Sequence, residues 1–202
     1  MKVIGLTGGI ASGKSLVAGI LERDGAVVVD ADQLAREAVI PGAPSYKAII
    51  KEFGATILNP DGTIDRKALG AIVFADTTAR KRLEQITHPA IKKLAEKRLA
   101  EERRKGTAVL FYMAPLLIET EAISSVDEVW IVYLDEKTQL ERLIKRDGID
   151  KKGALLKIKA QMTIAEKLKF GKIIIDNSGP VEKTEKQVRE LWEGLLRAVK
   201  CP

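Results

Sequence analysis

An apolar run, Val3-Ile4-Gly5-Leu6, leads into Thr7-Gly8-Gly9-Ile10-Ala11-Ser12-Gly13-Lys14-Ser15, and helical spacing resumes at Leu16, Val17, Ile20 and Leu21. Strand, Gly-x-x-x-x-Gly-Lys-Ser loop and helix stand in the order of a P-loop, which fixes the start of an α/β fold. Gly8 and Gly13 let the backbone turn and bring N–H groups onto phosphate oxygens, while the helix presents the positive end of its dipole to the same anion. In such a loop Gly8, Gly9, Ile10, Ala11, Ser12, Gly13 and Leu16 surround a nucleotide phosphate. Lys14 reaches the β/γ-phosphates and the Ser15 hydroxyl ligates magnesium. A glycine-rich turn without a ligand is the bland alternative, and the ordered strand, loop and helix argue against it.

The 202 residues suit one domain, with room for inserted subdomains and a sizeable core. The N-terminus enters a strand without the features of a signal peptide, and no apolar run approaches a membrane span, so a soluble cytoplasmic protein without a membrane partner is expected. Cys201, the single cysteine, cannot form an internal disulfide. A net charge of +6 raises the possibility of nucleic acid, but only 4% of residues are aromatic and no basic, aromatic strip is present to stack bases. An anionic small substrate is the simpler partner, and a monomer or weak homo-oligomer the expected state.

Strand-like runs alternate with amphipathic helices, as in a parallel sheet covered on both faces. Strands are expected at 2–6, 26–29, 108–112, 128–134 and 172–175. About seventy-five residues between the second and third strands are too helical for a simple crossover. Helices are expected there at 44–53, 66–74, 79–86 and 90–104, forming an inserted subdomain. Asn59-Pro60-Asp61-Gly62 marks a turn, Asp65 an N-cap, and Glu101 to Lys105 a solvated helix end.

The second strand ends in Asp30-Ala31-Asp32. Ligands of open parallel sheets lie beyond the carboxyl ends of the strands, so these acids can divide between capping the next helix and orienting a nucleophilic hydroxyl. Asp30 is balanced between the two roles, and Asp32 is assigned the chemistry. Met113, leaving the third strand, offers no metal-binding acid, so magnesium falls to Ser15, phosphates and water, with Asp30 or Asp32 as possible helpers. Gln139, Arg142 and Arg146 share a helix face, where guanidinium forks can clamp phosphates as a lid; a solvated cationic face is the alternative. His88 precedes Pro89, a residue suited to the first helical position, so a capping or packing histidine competes with a ligand.

Together these residues resemble the dephospho-coenzyme A kinase family across nearly the whole chain. The resemblance rests on Gly5 to Ile10 with Ser12 to Ser15, Asp30-Ala31-Asp32, His88-Pro89-Ala90-Ile91, Pro115-Leu116-Leu117-Ile118-Glu119, Arg142, Arg146-Asp147 and Ile175-Asp176-Asn177-Ser178-Gly179. It implies a three-layer P-loop fold with a five-stranded parallel sheet. The core would comprise approximately 1–33, 104–140 and 170–202, with a helical acceptor-binding insertion over 34–103 and a small lid over 141–169. It implies ATP and Mg2+, dephospho-coenzyme A as acceptor, Asp32 as general base, Lys14 and Arg142 as catalytic cations, and Arg146 and Asn177 beside the nucleotide, Asn177 at its adenine end. It also places His88, Pro115 and Leu116 with the acceptor. Departures are Ala11 for a frequent glycine, Leu16 for threonine, Met113 for aspartate, Lys157 for a lid arginine, and Gly171-Lys172 for Ala-Asp. Two readings compete: another small-molecule P-loop kinase, of nucleoside monophosphate or shikimate type, and a regulatory GTPase, whose Asn-Lys-x-Asp signature the chain does not carry.

Overall fold

The computed structural model describes residues 1–120 and 122–200; Cys201 lies outside them, and with it the disulfide expectation. In chain order the main elements are β1 (Lys2–Thr7), α1 (Lys14–Arg23), β2 (Val27–Asp30), α2 (Ala31–Ala38), α3 (Pro44–Phe53), α4 (Arg66–Ala75), α5 (Thr77–Arg104), β3 (Val109–Met113), β4 (Glu128–Tyr133), α6 (Glu136–Asp147), α7 (Lys151–Lys159), α8 (Ile164–Leu168), β5 (Ile173–Asp176) and α9 (Val181–Lys200). The five expected strands are present, with ends displaced by one residue at several points. No helix among the described residues is long and apolar enough to cross a membrane.

The strands form a parallel sheet in the order β2-β3-β1-β4-β5. β1 pairs with β3 from Lys2↔Val109 to Leu6↔Met113, and with β4 from Ile4↔Glu128 to Thr7↔Ile131. The central strand therefore delivers its loop between two neighbours, at the point of an open sheet where ligands bind. Alternation sorts the side chains: Ile4 and Leu6 join Phe111, Met113, Trp130 and Val132 under α1 and α9, which contribute Val17, Ile20, Leu21, Val188 and Trp192. Phe111 meets Trp130 edge-on at 5.1 Å and Trp192 at 5.8 Å. Met113 is thus a core residue, which accounts for an apolar side chain where a carboxylate was sought.

The chain divides into two compact units, Met1–Val29 with Glu102–Pro202, and Asp30–Glu101. The second has its own small core, Ile49, Ile57, Ile64 and Leu69, flanked by Tyr46, Phe53, Leu83 and Ile86. Its turn closes where expected, with Asn59 N–H on the Thr63 carbonyl at 2.8 Å and Gly62 N–H on the Asn59 carbonyl at 2.9 Å. Asp65 caps α4 by accepting from the N–H groups of Lys67 and Ala68.

One expectation fails. The helices anticipated at 79–86 and 90–104 are a single 28-residue helix, α5, with Pro89 inside it. Proline forfeits its N–H bond to the carbonyl four residues back and crowds that carbonyl with its ring, so it is disfavoured, not forbidden, in a helix interior. Here twelve helical residues precede it and fifteen follow, enough on either side to continue the ladder. His88 is consequently exposed in mid-helix, where it neither caps nor packs.

The Gly171-Lys172 departure has a packing explanation. A Cβ at Gly171 would lie 2.6 Å from Ile131 Cδ1 and 3.0 Å from its Cγ1, and Ile131 is fully buried in β4. Lys172 donates to the Glu128 carboxylate at 2.9 Å, as Lys2 does at 2.7 Å and Trp130 Nε1 at 3.0 Å. Burial would raise the Glu128 pKa, but the hydrogen bonds from Lys2, Lys172 and Trp130 outweigh it and hold the carboxyl below its ordinary value. An acid at 172 would instead face Glu128 with like charge.

Gly171→Ala should therefore destabilise the fold by about 1–3 kcal/mol through overpacking, and Ile131→Val, which removes the clashing methyl, should recover part of that loss. Urea melts of the two single variants and the double variant measure it; additive losses would show that the two positions do not compete for space.

Candidate active site

The loop between β1 and α1 is built from backbone that cannot satisfy itself. Ser12 N–H folds back on the Gly9 carbonyl at 3.1 Å, and Gly13 enters α1 as its N-cap with φ 93°, a left-handed conformation that favours glycine. A side chain at 13 would also collide with the Asn177 amide, which donates to the Ser12 carbonyl at 2.8 Å and accepts from Thr184 Oγ1 at 2.9 Å. Ala11 holds φ 59° without being glycine, so the departure at this position carries backbone strain of about 1–2 kcal/mol. Lys14 Nζ donates to the Gly8 and Gly9 carbonyls at 2.9 and 3.0 Å, which poises its ammonium over the loop. Ser12 Oγ is buried, with no hydrogen-bond partner among the described residues. Loop backbone beside a helix start, a lysine and a spare hydroxyl can together receive a phosphate.

The Ser15 hydroxyl is exposed in the first turn of α1. Among the described residues no group of three or more His, Cys, Asp or Glu could hold a metal ion. One hard oxygen without a protein cage fits Mg2+, which is usually held through substrate phosphates and keeps several waters.

The segment leaving β3 is tied to this strand. The Pro115 carbonyl accepts from Thr7 Oγ1 at 3.3 Å and from Lys167 Nζ at 3.0 Å, while Leu116 is exposed. Lys167, on α8, is wholly buried and forms an ion pair with Glu119 at 2.8 Å.

On α6 the three polar residues expected to share a face divide by depth. Gln139 is buried and donates to the Ile10 carbonyl at 2.8 Å, Arg142 is half-buried, and Arg146 is exposed. Arg146 Nε and Lys157 Nζ take the two oxygens of Asp147, at 2.8 and 2.6 Å. The guanidinium of Arg146, then the ammonium of Lys157, lower the Asp147 pKa from 3.8 to about 2.

Asp30 and Asp32 divide their labour. Asp30 is the N-cap of α2, its carboxylate accepting from Asp32 N–H at 2.8 Å, whereas the Asp32 side chain stands exposed in the first turn. Gln161, Glu119, Lys167 and Thr184 escaped assignment from sequence as neighbours of the loop. Gln161 meets Ile10 across 151 residues and Lys167 meets Glu119 across 48, while Thr184 reaches the loop only through Asn177, and no spacing rule marks such contacts.

The family model described as CoaE, dephospho-CoA kinase, matches residues 2–183. The chain is 59% identical over 192 residues to the dephospho-CoA kinase of Geobacter sulfurreducens, covering 95% of this chain and 98% of that protein. The chain belongs to the dephospho-CoA kinase family. The dephospho-CoA kinase of Geobacter metallireducens is likewise 59% identical over 193 residues, 96% of each chain. The solved structure of the dephospho-CoA kinase from Campylobacter jejuni superposes with a TM-score of 0.71 at 30% identity, over 96% of this chain and 99% of that one. Membership in the dephospho-CoA kinase family makes the chain a kinase that uses ATP as phosphoryl donor. It sets aside the GTPase and the other small-molecule kinases.

A carboxylate whose folded pKa lies below its unfolded value adds stability above the unfolded value and loses it as pH falls through the folded one. For Asp147 that window runs from about 3.8 down to about 2. The difference in melting temperature between the parent protein and Asp147→Asn should stay constant from pH 8 to pH 5 and narrow below pH 4. A gap that widened on acidification would contradict the ion-pair assignment.

Proposed function

We propose that the chain transfers the γ-phosphoryl group of ATP to the ribose 3′-hydroxyl of dephospho-coenzyme A, giving coenzyme A and ADP in the cytoplasm. The observation that carries this reading is coverage: the likeness to dephospho-CoA kinases extends over 95% of the chain and not over the P-loop alone. The assignment of 34–103 as acceptor-binding insertion, 141–169 as lid and the remainder as core belongs to the same proposal, as does a monomer or weak homo-oligomer.

In the proposed reaction the loop N–H groups hold the phosphates and Lys14 moves from the Gly8 and Gly9 carbonyls to the β/γ-phosphates. Ser15 would hold Mg2+, which supplies charge neutralisation at the phosphate oxygens. Asp32 orients the ribose hydroxyl and takes its proton as the new oxygen–phosphorus bond forms; the bond from the γ-phosphorus to the bridging oxygen breaks, and that oxygen leaves on ADP with the electron pair. Asp30 remains a helix cap, in keeping with its hydrogen bond to Asp32 N–H. Arg142 stabilises charge on the transferred group, since Arg146 and Lys157 share Asp147. Arg146 and Asn177 border the nucleotide, and His88, Pro115 and Leu116 the acceptor. The exposed side chains of His88 and Leu116 support that assignment.

Incubation with ATP, Mg2+ and dephospho-coenzyme A should add the mass of one phosphoryl group to the acceptor; an unchanged acceptor mass overturns the reading. Asp32→Asn should cut turnover by roughly 10²–10⁴-fold with little change in ATP affinity, and Asp30→Asn should not; the opposite ranking would exchange their roles. Arg142→Ala should reduce kcat by about a hundredfold or more, and Lys157→Ala by less. Steady-state kinetics at saturating ATP that placed the lysine first would move the transition-state contact to α7.

A further inference from the structure

Ile10, in the middle of the phosphate loop, is held by glutamines on both of its flanking peptides. Its N–H donates to Gln161 Oε1 at 2.8 Å, and its carbonyl accepts from Gln139 Nε2 at 2.8 Å. The two side chains come from different places, Gln139 from α6 and Gln161 from the connector between α7 and α8. Gln139 is 7% exposed, and its Nε2 lies 2.5 Å from where a Cβ of Gly9 would stand, so its fit depends on a bare backbone at residue 9.

The connector carrying Gln161 is itself anchored. Met162 N–H donates to Glu119 Oε1 at 3.1 Å, and the buried Lys167 ammonium binds Glu119 and the Pro115 carbonyl. Thr163 and Glu166 close a capping box at the start of α8. Gln161 is therefore presented from a braced turn, and its carbonyl oxygen stands ready for the Ile10 N–H.

The Ile10 N–H belongs to the Gly9–Ile10 peptide and the Ile10 carbonyl to the Ile10–Ala11 peptide, so neither plane flanking Ile10 can turn without breaking a hydrogen bond. The next residue, Ala11, is the one non-glycine with positive φ among the described residues. Left alone, Ala11 would relax toward negative φ and turn the neighbouring peptides; the clamp on Ile10 opposes that relaxation.

We propose that Gln139 and Gln161 are positioning residues that hold the phosphate loop in its receptive conformation before ATP arrives. The inference rests on Gly8 to Ser15 being the phosphate site. Without the clamp, part of the ATP binding free energy goes into ordering the loop, so affinity falls while the reacting groups stay intact. Gln139 must act as a donor, Gln161 as an acceptor.

That polarity makes the proposal testable. Gln139→Ala and Gln161→Ala should each weaken ATP binding in titration calorimetry, and raise its KM, by about two- to tenfold, the worth of one hydrogen bond, with kcat at saturating ATP changed less. Gln161→Glu retains an acceptor, whereas Gln139→Glu sets a carboxylate against the Ile10 carbonyl. The first should lose less ATP affinity than the second. Equal losses in the two Glu variants would mean that added negative charge near the phosphates explains everything, and the proposal fails. Unchanged ATP affinity in both Ala variants, with a lower melting temperature, would reduce the glutamines to structural supports and overturns it as well. Lys14→Ala keeps the two hypotheses apart: full ATP affinity in that variant would refute the phosphate site itself, whatever the glutamines do.

Discussion

The Asn177 amide on the Ser12 carbonyl is the contact on which the active loop depends. A loop that offers its backbone to phosphate cannot spend that backbone on secondary structure, so its shape must come from side chains elsewhere. Asn177 can serve because it is buried and oriented by Thr184, and because its position just past β5 puts it at the carboxyl edge of the sheet. The glutamines of α6 and of the α7–α8 connector brace the opposite stretch at Ile10. The sheet order brings these contributors to one edge, since β1 lies beside β4 and β4 beside β5.

Charge is arranged by the same logic of prior commitment. Glu128 gathers Lys2 and Lys172 at the start of β4, away from the loop end of the strands, and Asp147 gathers Arg146 and Lys157 at the end of α6. The pairs at Asp147, whose two cations stand exposed, add little stability individually, whereas the Glu128 carboxylate is only 7% exposed. Lys167 with Glu119 differs, because a wholly buried ammonium is tolerable only when paired and hydrogen-bonded, and here it joins α8 to the segment leaving β3. Removing either partner would leave a charge without compensation, so this pair fixes the route of the chain near the site more firmly than the surface pairs do.

Local chemistry was legible where it repeats at short range. The apolar run from Val3 to Leu6, the spacing from Leu16 to Leu21, the cap at Asp65 and the turn at 59–62 are each patterns within a few residues. Pro89 misled because a proline that can open a helix can also be carried inside one, and neighbours on both sides decide which. Gly171 and Lys172 had no meaning in isolation; Ile131 and Glu128, some forty residues away, give them one.

The sequence by itself determined the phosphate loop, the alternating α/β plan and the family, because a P-loop must be written in consecutive residues and strand and helix periods are local. Tertiary structure alone decided that Gln139 is a buried brace apart from the cationic face, and that Gln161 and Asn177 serve the loop. A hydrogen bond depends on where two atoms meet in space, and for residues separated by 129 to 165 positions that meeting is set by the packing of the sheet and not by any pattern along the chain.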